Sequence, residues 1–146
     1  MRVRARVATV RRWFGRAKRE RAEQLLRLEL GEPVVQAASM RRTSSRGWGP
    51  WTDVELHLGA GPDDGAWWHA EDPLAVGFAP ARGPVDVAIA AVTSVWCRPV
   101  RFSTEAFFGM DAEIVVVEGE RTTLEFALDP DLTGPVAARL AHLTRP

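Results

Sequence analysis

The chain is poor in several residue types that carry chemistry. It has one cysteine, Cys97, in 146 residues, which excludes an internal disulfide and fits a reducing compartment. Its three histidines are His57, His69 and His142, and no H-x-x-x-H or H-E-x-x-H spacing sets two imidazoles on one helix face. G-x-S-x-G, Walker-type and G-x-G-x-x-G runs are all missing, which leaves no cofactor-binding motif to follow. "GAGPDDG" is glycine-rich, but its two aspartates would repel a phosphate. No apolar run approaches the roughly 18 residues a membrane helix needs. The opening "MRVRARVATVRRWFG" lacks the apolar core of a secretory signal. The expected location is therefore cytoplasmic. Lysine occurs once against eighteen arginines, a bias that fits GC-rich bacterial coding and gives the choice of Arg over Lys little functional weight.

What is present divides by charge. A 46% hydrophobic and 26% charged composition belongs to a globular protein. Net charge is zero, yet residues 1–30 carry ten Lys or Arg and three Glu, a net of +7. Residues 31–146 carry nine Lys or Arg and sixteen Asp or Glu, a net of −7. The division is thus a basic extension over 1–30 and an acidic body over 31–146. The extension has helical spacing in Val3, Val7, Val10, Phe14, Ala17, Leu25 and Leu28, with Arg21 interrupting the stripe. Gly31 and Pro33 stop it.

From Pro33 onward the hydrophobic period is two. "PVVQAASM" reads as a first strand and "RRTSSRGWGP" as a loop. "TDVELHL" alternates, with Val54, Leu56 and Leu58 on one face. "AWWHA" is its returning partner. "LAVGF", "VDVAI" and "VTSVWC" supply further strands, and residues 98–110 have no clean period. "EIVVV", "EGER" and "TTLEFAL" form a hairpin with Leu124, Phe126 and Leu128 inward. In "DPDLTGPVAARLAHL", Leu132, Val136, Leu140 and Leu143 share a helical face. Pro135 lies too deep for a helix starting at Asp129, so an irregular turn followed by about three turns of helix is expected.

This order describes a mainly β domain: a small barrel of about seven antiparallel strands closed by a C-terminal helix, behind an N-terminal basic amphipathic helix. Over residues 30–143 it resembles the pleckstrin-homology-like (PH-like) fold of GRAM and bacterial PH-like domains. The resemblance is carried by the "LGEPVV" entry, by "PLAVGFAPARGPVDVAIAAVTSV", and by "IVVVEGERTTLEFAL" with its closing helix. It implies a non-catalytic interaction module. PH domains often grip a phosphoinositide headgroup with a basic loop after the first strand, and Arg41, Arg42 and Arg46 stand at that place. The thirty-residue basic helix and residues 98–110 have no counterpart in the pattern.

Three candidate sites follow. The basic helix presents Arg4, Arg11, Arg12, Trp13, Phe14, Arg16, Lys18 and Arg19, a set suited to an anionic membrane surface or to a protein partner. Self-association is a further option. Trp67, Trp68 and His69 are the alternative, as the heart of a small ligand-binding barrel or enzyme. Neighbouring strand residues face opposite ways, so one tryptophan is expected inside and the other outside. The tryptophans lie among acids rather than bases, which speaks against nucleic acid. A metal set of His69, Glu71, Asp72 and His57 is outweighed by ordinary exposed polar residues, and Cys97 is expected to be a buried, inert thiol.

Overall fold

The computed structural model describes residues 17–44, 47–59, 65–71, 84–101 and 112–144. Most of the basic run, together with "LAVGF" and much of the segment 98–110, lies outside these residues. Helix α1 (Ala17–Leu30) is followed by strands β1 (Val34–Ser44), β2 (Gly47–Trp48), β3 (Thr52–Leu58), β4 (Ala66–Ala70), β5 (Val85–Ala88), β6 (Val92–Pro99), β7 (Glu113–Gly119) and β8 (Thr123–Leu128). Helix α2 (Pro130–Leu143) ends the chain's regular structure.

Every ladder is antiparallel. The strand order is β5-β4-β3-β1-β8-β7-β6, with β2 folded back on the end of β1. The long β1 joins two halves. Its Val34–Met40 stretch pairs with β3, and Ser39–Arg42 pairs with β8. The expected loop at 41–50 is therefore partly strand, because β8 offers ladder bonds as far as Arg42.

The expected closed barrel is an open sheet of eight strands, with β5 and β6 as its edges. Only Ile89–Ala91 separate these edges in sequence, yet the described residues form no ladder between them. Ala91 takes a left-handed φ of 54°, and the β6 register slips between Val92 and Ser94. Both features are local irregularities of the kind that end or interrupt a ladder.

Period two sets the core as the sequence indicates. Val54, Leu56 and Leu58 of β3 are buried, as are Phe126 and Leu128 of β8. They join Trp68, Met40, Val115 and Val117 in one cluster with Leu132, Val136 and Leu140 of α2. Against expectation, α2 is continuous, with Pro130 opening it and Pro135 inside it. Asp129 caps it by accepting from the Asp131 N–H at 2.9 Å. Burying its three large apolar side chains is worth about 2 kcal/mol each. That outweighs the roughly 3 kcal/mol an internal proline costs.

Helix α1 lies beside α2 in the same sense. Leu28 is buried in the common core and Leu25 packs against it. Gly31, at φ 73°, closes a C-terminal turn in which its N–H reaches Leu28 and the Glu32 N–H reaches Arg27. Arg139 of α2 donates to the carbonyls of Leu28 and Glu32 at 3.1 and 3.0 Å. At the other end Arg21 pairs with Asp129 and Asp131 at 3.0 and 3.2 Å. The polar break in the apolar stripe is thus a clamp: each helix places an arginine on an end of the other.

Candidate functional site

The predicted basic helix is represented by its last residues. Arg4, Arg11, Arg12, Trp13, Phe14 and Arg16 lie outside the described residues. Lys18 falls on α1, and Arg19 is exposed there. The same helix exposes Leu26 and Leu30, at 55% and 62%. Leu25 and Leu28 face the body instead.

Arg41 and Arg42, read from sequence as one basic loop, face opposite sides of β1. Arg46 lies outside the described residues. Arg41 points outward and pairs with Glu125, its cross-strand neighbour on β8, at 2.7 Å. Its guanidinium carbon sits 4.2 Å from the ring centre of Trp48 and 4.8 Å from that of Trp51. Glu125 is also held by Arg98, whose Nε and Nη2 both donate at 3.0 Å. Arg98 and Glu125 are buried, although they lie on the outer side of the sheet. Beside them Ile114, Val116 and Ala127 form a second small core against Trp51, Val100 and Ala112. A paired buried charge is tolerable, whereas leaving either guanidinium uncompensated costs about 3 kcal/mol. This cluster is structural in its geometry. Sequence reasoning missed it because Glu125 and Arg98 occupy outward strand positions, where charge is ordinary.

Arg42 turns inward, and burial pushes its guanidinium below the usual range. It borders a cavity at the seam between β5 and β6.

Trp67, Trp68 and His69 separate as strand geometry requires. Trp68 is inside at 1% exposure. Trp67 is half-buried on the outer face and stacks on His57 of β3, with ring centres 3.7 Å apart and planes 8° from parallel. His69, one pair further along the outer face, contacts Asp86 of β5 through Nδ1 and Glu71 through Nε2 at 2.9 Å. The Glu71 and Asp86 hydrogen bonds raise its pKa above 6.5, against a smaller opposing effect of burial. The three side chains therefore do not converge on one pocket. Among the described residues no trio of His, Cys, Asp or Glu is arranged to hold a metal. Cys97 is half-buried, and desolvation pushes its thiol pKa up, with Glu113 adding to the effect. An uncharged thiol of this kind is a weak nucleophile.

Set against protein-family models, curated proteins and solved structures, the chain matches none. What its geometry defines is an antiparallel β-sheet domain with a helix at each end, the C-terminal one packed on the sheet.

Proposed function

We propose that the chain is a non-catalytic interaction module of PH-like architecture, held to an anionic membrane surface by its basic N-terminal segment. Two features support the architectural part: the first long strand lies beside the last, and the closing helix packs across the sheet. The observation that carries the functional part is the clamp between α1 and α2. Arg21 on Asp129 and Asp131, and Arg139 on the end of α1, anchor the helix on an otherwise acidic body. Residues 1–16, which precede that helix in the sequence, hold six arginines and no acid. Leu26 and Leu30 offer exposed apolar contact on the same helix. No helix among the described residues is long and apolar enough to cross a membrane, so the proposed attachment is peripheral.

Vesicle sedimentation tests this reading. Deleting residues 1–30 would strip Leu28 from the core, so the comparison is the full chain against a variant with Arg4, Arg11, Arg12 and Arg16 changed to Gln. Each basic residue near an anionic surface contributes about 1 kcal/mol, so four changes lower binding to phosphatidylserine vesicles by about a thousandfold. Equal sedimentation with phosphatidylserine and pure phosphatidylcholine vesicles rejects the anionic surface as the determinant, and none with either directs attention to a protein partner.

A further inference from the structure

The open seam leaves a space inside the fold that the interaction-module reading does not use. Where β5 gives way to β6, a cavity of about 180 Å³ is walled by Trp68, Val87, Val117 and Leu124, with Arg42 and Thr122 as its polar side chains. Ala88 and Ala90, also on its border, are exposed, so the space reaches solvent between the two edge strands.

Size, wall and charge together define a ligand class. An apolar cavity of roughly 150 Å³ is enough to take up benzene, so this one accommodates a six-membered ring with a small substituent. Val87 and Leu124, both only partly buried, supply apolar surface that a ring can cover. Arg42 is the only ionisable residue among the described residues that border the space. It lies on the inward phase of β1, opposite Leu124 of β8. Desolvation already depresses its pKa, which marks an environment where its attraction for an anion is less screened than in water. A guanidinium carries five N–H donors, so it can receive a carboxylate alongside another partner.

We propose that the β5–β6 seam cavity binds a small apolar carboxylate of benzoate size, with the ring against Val87 and Leu124 and the carboxylate on Arg42. The site is independent of the basic N-terminal segment, so its test stands or falls separately from vesicle binding.

The experiment titrates the full chain with benzoate and with benzamide, its neutral counterpart of the same shape, at millimolar concentrations. Backbone amide NMR shifts are the readout. Saturable shifts confined to residues 41–43, 87–92 and 117–124 are expected, with benzoate favoured over benzamide by about tenfold, the worth of one charge-assisted hydrogen-bond pair. Arg42→Gln removes that preference and keeps the weak benzamide response. Val87→Phe fills the space and abolishes both; if that variant does not fold, Val92→Phe fills it from the other edge strand. Absence of saturable shifts, shifts centred elsewhere, or equal affinity for the two probes in the unmodified chain overturns the proposal.

Discussion

His69 is bracketed by two largely exposed carboxylates on the outer face of the sheet. Asp86 meets Nδ1 and Glu71 meets Nε2, so both ring nitrogens donate when the imidazole is charged. Folding therefore favours the protonated ring and raises its pKa above 6.5. The sign of the pH effect follows by linkage. The stabilisation is fully present below the unfolded-state pKa and is lost as pH rises through the higher folded-state value. Denaturation midpoints should fall over that window in the unmodified chain, and His69→Gln should flatten the fall. An NMR titration that gives His69 a pKa at or below 6.5 contradicts the bracketed geometry. The neighbouring row makes a useful contrast. His57 stacks on Trp67, and its Nε2 lies 3.7 Å from Glu55.

At the scale of elements, the two helices depend on each other's termini. The last carbonyls of α1 carry partial negative charge, and Arg139 meets them with its guanidinium. Replacing Arg139 with Ala is expected to cost about 1–2 kcal/mol, the worth of such charge-assisted bonds at a helix end. Amide exchange should accelerate in Leu28–Glu32 while the strands keep their protection. Unchanged exchange at those positions means that Leu28 burial alone holds α1. The elements themselves were largely legible in the sequence. Alternation placed Val54, Leu56 and Leu58 inward, and the spacing of Leu132, Val136 and Leu140 placed α2's buried face. Three features were not legible, each for a tertiary reason. Arg41 and Arg42 looked like loop because their strand partner, β8, lies more than 80 residues away. Pro135 looked like a helix breaker because local propensity takes no account of burial against the sheet. Arg41 looked like part of a basic loop, and its cluster with Glu125 and Arg98 was not legible because nothing local says that the outer face of β7 and β8 is covered. The candidate site divided in the same way: strand parity separated Trp67 from Trp68, but the cavity depends on two edges that fail to pair.

The whole molecule is joined through one strand. Only Ser39 and Met40 of β1 pair with β3 on one side and β8 on the other. Met40 points inward at 0% exposure, into a cluster that runs continuously from Trp68 in one half to Phe126 in the other and to Leu140 of α2. A sheet with an unpaired seam might be expected to come apart in halves, with β3–β5 melting separately from β6–β8. The continuous core opposes this, because neither half buries its inner face without the other and without α2. Unfolding by denaturant should therefore be a single transition, with tryptophan fluorescence and far-ultraviolet circular dichroism giving the same midpoint. Met40→Ala removes side-chain volume at the point both halves share. It should cost about 3 kcal/mol, as for other large-to-small changes at fully buried positions, and should lower the midpoint by both probes together. A second transition in the unmodified chain, or separation of the two probes in Met40→Ala, would instead show that the seam divides the molecule into two independently folding halves.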